Sequence, residues 1–136
     1  FFSMLKDENE KMLLLVDYAD KFQSVPESIA KKPYPNENKV EYCESEAYVW
    51  CMKQNDNTLK FYFAVENPNG ISAKALCSIL DKTISGLTAE EIIKIPTDIV
   101  YNIFGEKLSM GKNLGLAGIL NKIKSEASKY HRNFEF

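Results

Sequence analysis

The stretch 46–65, EAYVWCMKQNDNTLKFYFAV, decides the fold. From Glu46 to Lys53 the chain sets Ala47, Val49 and Cys51 against Tyr48, Trp50 and Met52, and Thr58 to Val65 places Leu59, Phe61, Phe63 and Val65 on one face. Strict alternation of this kind is the mark of a strand, because successive side chains leave a pleated backbone on opposite sides. Asn55-Asp56-Asn57 between the two runs reads as a turn, so the stretch predicts an antiparallel hairpin. A third strand is expected just before it, around Lys39 to Cys43, following a loop over Lys31 to Asn38 that holds Pro33 and Pro35.

Working outward, the flanks are helical. From Met4 to about Phe22, Leu5, Met12, Leu15, Val16 and Ala19 recur at helical spacing, and a short helix from Ser24 or Val25 to Ala30 carries Pro26 in its first turn. Downstream, Asn67-Pro68-Asn69-Gly70 breaks the strand. Ser72 is expected to cap a helix whose inner face is Leu76, Ile79, Leu80 and Thr83 and which ends at Gly86. Thr88-Ala89-Glu90-Glu91 spells a capping box, with Leu87 and Ile92 placed as a hydrophobic staple. Thr97 caps the next predicted helix through Phe104. A final helix of about Lys112 to Tyr130 turns Leu116, Ile119, Leu120 and Ile123 inward, and Gly115 and Gly118 on it predict a close backbone approach. Helices covering one face of a small antiparallel three-stranded sheet make a single α+β domain spanning residues 1–136.

Composition narrows the function. The chain has 136 residues, a formal net charge of −2, 45% hydrophobic and 26% charged residues. A domain of this size buries roughly two-thirds of its unfolded surface, enough for a core without staples. Nucleic-acid binding asks for a basic stripe that displaces counterions from phosphates, and the charge balance offers none. No apolar run approaches the roughly 20 residues of a membrane-spanning helix, so no membrane partner is expected. The cysteines, Cys43, Cys51 and Cys77, form no CxxC pair, which argues against a disulfide framework or zinc site and for reduced thiols in an intracellular compartment. Arg132 is the only arginine among 17 basic residues, a bias typical of AT-rich genomes, and Phe1-Phe2-Ser3 ahead of Met4 suggests a piece of a longer precursor.

Few residues are equipped for chemistry. His131, the one histidine, lies in the last six residues, and no P-loop or GxGxxG is present. Among the thiols, Cys77 beside Leu76 and Cys51 in register with Val49 read as small core hydrophobes. Cys43 sits at a loop–strand junction among Glu41, Tyr42, Glu44, Ser45 and Glu46, where it is either a half-buried strand end or a working thiol. Thiolate is the reactive form, and acidic neighbours disfavour it unless a helix N-terminus or lysine compensates. Such a thiol is slow by itself and engages when a partner brings positive charge or a reactive persulfide.

The segment Val40-Glu41-Tyr42-Cys43-Glu44-Ser45-Glu46-Ala47-Tyr48 resembles the active loop of the SufE family of sulfur-acceptor proteins, in which a Val, a spacer and Gly-Cys precede a Ser two residues on and an aromatic five residues on. Pro26-Glu27 resembles that family's LPEE, Asn38-Lys39-Val40 its NRV, and residues 85–92 its SGKTPEEI, while Leu108-Ser109, Lys112 and Gly115-Leu116 keep the spacing of its LS..R..GL. Tyr42 stands where the family has glycine, Lys112 where it has arginine, and Lys74 and Ala75 replace an Arg and a Gly.

The resemblance implies a SufE/NifU-like fold and a carrier acting with a cysteine desulfurase of the SufS type. By that resemblance Cys43 accepts persulfide sulfur from the desulfurase, stimulates it, and passes the sulfur to a scaffold of the SufBCD type. The pyridoxal phosphate resides in the desulfurase and the carrier needs no cofactor or metal. Tyr42, Ser45, Tyr48 and Lys112 are the candidates for a partner or persulfide pocket, with Trp50 and the last helix as further walls. A docking activator that has lost transfer is the alternative, and an independent thiol redox enzyme a third class. A plastid-type organelle such as an apicoplast is the favoured location, a bacterial cytoplasm the other.

Overall fold

The computed structural model describes residues 8–41, 43, 45–105 and 110–134, and side chains for 10–41, 43, 45–105 and 114–131. Its elements run α1 (Glu8–Asp20), a single 3-10 turn (Asn36–Asn38), β1 (Ala47–Lys53), β2 (Leu59–Val65), α2 (Ile71–Ile84), α3 (Ala89–Ile93), α4 (Ile99–Phe104) and α5 (Met110–Phe134).

The hairpin forms where its alternation places it. β1 and β2 pair antiparallel from Ala47↔Val65 to Lys53↔Leu59. The turn closes with Gln54 N–H donating to the Thr58 carbonyl at 2.8 Å, and Asn57 takes φ 68°, a left-handed conformation that Asn tolerates better than most residues. One face carries Ala47, Val49, Cys51, Leu59, Phe61, Phe63 and Val65 into the main core, where α2 and α5 lie over it and supply Leu76, Leu80, Ile119, Leu120 and Ile123. Burial of each large side chain there contributes about 1.5–3 kcal/mol. The other face holds a smaller cluster of Tyr48, Trp50 and Ala64, covered by Val25 and by the half-buried Ile29, Ala30 and Tyr34 of the segment after α1. The Tyr34 ring stands 5.1 Å from Tyr48 and 5.2 Å from Trp50.

The expected third strand does not form among the described residues, and the sheet has two strands. Only Lys39 bridges Tyr48, and Val40 N–H donates to the Ala47 carbonyl at 2.9 Å. Beyond Val40 the Glu46 N–H donates to the Cys43 carbonyl at 3.1 Å, and among the described residues no second ladder position follows. The short helix expected from Ser24 or Val25 to Ala30 does not form; a single turn stands there, in which the Ile29 and Ala30 amides share the Pro26 carbonyl.

The other expected helices all form and differ at their edges. The capping box is complete: the Glu91 amide donates to Thr88 Oγ1 at 3.2 Å and the Thr88 amide to Glu91 Oε1 at 3.1 Å. Its staple residue Ile92 is fully buried. Gly70, not Ser72, occupies the N-cap of α2, and Asp98, not Thr97, that of α4. Thr83 is exposed and bonds back to the Ile79 carbonyl, while Ile84 is buried in its stead. On α1 the inner stripe is Leu15 with Leu14, Tyr18 and Ala19, continued by Phe22 just past the helix end, and Met12 and Val16 face outward. Met12 to Val16 is apolar on every side, so its periodicity does not set the phase; packing against α2 does.

Candidate functional site

Cys43 lies in a short loop, residues 41–46, at the end of the hairpin where β1 begins and β2 ends. Hydrogen bonds fix both of the loop's ends. On the entering side are the Val40–Ala47 bond and the Lys39–Tyr48 bridge. On the leaving side the Asn67 amide donates to the Ser45 carbonyl and the Glu66 amide to the Glu46 carbonyl, each at 3.1 Å. Glu46 completes the reversal at φ 53°, a left-handed conformation costing an L-residue about 1–2 kcal/mol. Cys43 itself is half-buried and rests against the main core.

An open groove of about 1000 Å³ runs between this loop and α5. Val40, Glu41 and Cys43 form one wall, and Leu114, Ala117 and Gly118 the other. Lys39 and Lys122 bring positive charge to it, opposed by Glu37 and Glu41, so the groove has no strong bias of sign. Lys122 ties the walls together: its Nζ donates to the Glu37 carbonyl at 2.6 Å and pairs with the buried Glu126 carboxylate at 3.4 Å.

The other two thiols are placed differently. Burial pushes the Cys51 thiol up to about 12, with the Glu126 charge adding to it. Burial also raises Cys77, helped by the nearby Cys43 and Asp81. Both are therefore held as neutral thiols, and their reach to a macromolecular partner is blocked by the side chains around them. His131 borders a separate cavity of about 390 Å³ with Lys53, Thr88 and Tyr130. That cavity is at the turn end of the hairpin, the length of β1 away from Cys43, roughly 20 Å at strand rise, so His131 cannot serve this thiol. Among the described residues no group of three or more His, Cys, Asp or Glu could hold a metal ion, and no helix is long and apolar enough to cross a membrane.

Of the residues singled out from sequence, Cys43 and the last helix come together. Ser45 anchors the loop through its backbone. Tyr48 and Trp50 are on the opposite face of the hairpin from the core that Cys43 touches, since strand alternation sends them with Tyr34 into the smaller cluster. Burial raises the Tyr48 phenol, with Glu66 reinforcing the shift. Tyr42 lies outside the described residues, as does the side chain of Lys112, whose backbone falls in the first turn of α5. Lys39, Lys122 and Gly118 also border the groove, a placement that sequence reasoning does not reach. Leu114, Gly118, Asn121 and Ser125 recur at helical spacing on α5, a second stripe beside its apolar one.

The family model described as Fe-S metabolism associated domain, SufE, matches residues 1–127. The chain belongs to the SufE family. Among SufE-family relatives named "Cysteine desulfuration protein SufE", that of Plasmodium falciparum (isolate 3D7) is 26% identical over 137 residues, covering 99% of this chain and 53% of the relative. That of Plasmodium vivax is 29% identical over 104 residues, 76% of this chain and 43% of the relative. That of Wigglesworthia glossinidia brevipalpis is 26% identical over 132 residues, 93% of this chain and 84% of the relative. The chain thus spans about half the length of the two Plasmodium relatives. In fold it is similar to a solution structure of a hypothetical protein from Thermus thermophilus, at TM-score 0.72 and 19% identity, covering 96% of this chain and 90% of that one.

Proposed function

We propose that this chain is a sulfur carrier: Cys43 takes persulfide sulfur from a cysteine desulfurase and delivers it to an iron–sulfur cluster scaffold. The observation that carries the reading is the contrast among the thiols. Cys43 alone is half-exposed, at a loop tip bordering an open groove, while Cys51 and Cys77 are buried. Family membership and the relatives' names, which speak of cysteine desulfuration, favour the same role.

The transfer is an exchange between sulfurs. The Cys43 thiolate attacks the outer sulfur of the partner's cysteine persulfide and the partner's S–S bond breaks. The electron pair leaves on the partner's cysteine sulfur, and Cys43 becomes the persulfide. No net oxidation occurs, so this chain needs no cofactor for the step. Its own contributions are presentation and shelter. The bonds at both ends of the loop present Cys43 in one position, and the core beneath it covers one side of a transferred sulfur. The partner's approach through the groove would meet both signs of charge and an exposed Leu114.

Mass spectrometry after incubation with a cysteine desulfurase and cysteine tests this. We expect the Cys43 peptide to gain the mass of one sulfur, removable by dithiothreitol. A chain that stimulates the desulfurase yet gains no sulfur would instead be a docking activator.

A further inference from the structure

Two glycines, far apart in sequence, lie against the two ends of the Cys43 loop. A Cβ on Gly118 of α5 would come 3.1 Å from the Glu41 carbonyl oxygen and 3.1 Å from Val40 Cγ1. One of those atoms is backbone and the other belongs to a side chain only 1% exposed, so neither can swing aside. On the far side, a Cβ on Gly70 would come 3.0 Å from Ser45 Cβ and 2.8 Å from Val65 Cγ1. The loop is thus seated in two notches that exist because a side chain is missing from each.

We propose that Gly118 and Gly70 are positioning residues that set how deeply Cys43 sits against the core. Helix propensity makes the case specific. Gly inside a helix costs about 0.5–1 kcal/mol relative to Ala, so Gly118 weakens α5 unless the close approach needs it. Lys122, one turn along, reinforces the same contact by holding the Glu37 carbonyl on the chain entering the loop. The notches hold residues 40–41 and 45, on either side of Cys43. A Cβ at Gly118 would press on the Glu41 carbonyl and Val40, and one at Gly70 on Ser45 together with Val65 and the Asn67 carbonyl, so filling either notch should lift an end of the loop and move the thiol outward. The inference deepens the carrier reading, giving the depth at which an accepted sulfur is sheltered, but its test is independent of any partner.

The test is the rate at which iodoacetamide labels each cysteine of the intact chain under native conditions, resolved by peptide mass spectrometry. In Gly118→Ala we expect Cys43 labelling to rise about threefold or more, as a locally opened segment would give, with Cys51 and Cys77 still protected. Gly70→Ala should do the same from the other end, and it carries the test if Gly118→Ala does not fold. Unchanged Cys43 labelling in the folded variant, together with the higher thermal stability expected of an ordinary Gly-to-Ala helix change, would overturn the proposal. Absence of transferred sulfur on Cys43 in the parent chain would overturn the carrier reading and leave this one standing.

Discussion

The surroundings of Cys77 and Cys43 are close neighbours with opposite constructions. Cys77 is on α2 beside Leu76, enclosed by side chains from the hairpin and helices, and its position is fixed by packing. Cys43 rests on the same core from outside, and its position is fixed by backbone hydrogen bonds at the loop ends and by two close approaches to glycine. A thiol held by packing cannot be reached without unfolding its shell. One held through its flanking backbone can be presented to a partner while the core stays intact. The difference shows how one small fold can enclose two cysteines and leave a third within a partner's reach.

Stability and transfer should therefore separate on mutation. The largest stability effect is expected for Leu80→Ala in the fully buried interior, about 3 kcal/mol by urea denaturation. Sulfur acceptance per folded molecule should be unchanged. Equal losses of both would mean that the buried core and the Cys43 loop act as one unit.

A smaller effect is expected for Cys77→Ser, which places a hydroxyl where only an apolar thiol fits, costing about 1–3 kcal/mol. Again transfer should persist. A Cys77→Ser chain that is stable but cannot accept sulfur would assign Cys77 a chemical role.

The smallest effect is a pH dependence. The Cys51 thiol titrates at about 12 when folded, against an ordinary 9.0, so the unfolded chain releases its proton first. Its contribution to stability is full below about 9 and is lost progressively as pH rises from 9.0 toward about 12. Thermal melts across pH 8 to 10, roughly the start of that window, should fall less steeply for Cys51→Ala than for the parent chain. Identical slopes would mean that Cys51 is not desolvated as its burial indicates.

Much of this arrangement is legible in the sequence, for identifiable reasons. The hairpin shows because both strands alternate over seven residues and the turn is all polar. The capping box shows because it is local, four residues satisfying one another. Cys43 stands out because its sequence neighbours are acidic and polar, where a thiol gains little from burial. What does not show is set at a distance. Strand alternation already implies that Tyr48 and Trp50 leave the Cys43 side, yet without knowing which hairpin face meets α5 that cannot be used. The phase of α1 depends on α2, and the missing third strand on where the chain from Val40 docks against Gly118. The helical position of Gly118 is enough to predict a close approach; that its neighbour is the Cys43 loop is a fact of the fold.

The central claim is that Cys43 is the one acceptor, and radiolabelled cysteine tests it most directly. Two chains are incubated with a cysteine desulfurase and cysteine carrying labelled sulfur. One is Cys43→Ser; the other is the Cys51→Ala/Cys77→Ala double variant, which keeps only Cys43. Label is expected on the double variant, removable by thiol, and none on Cys43→Ser although it still binds the desulfurase. Label on Cys43→Ser, or none on a folded double variant, would contradict it.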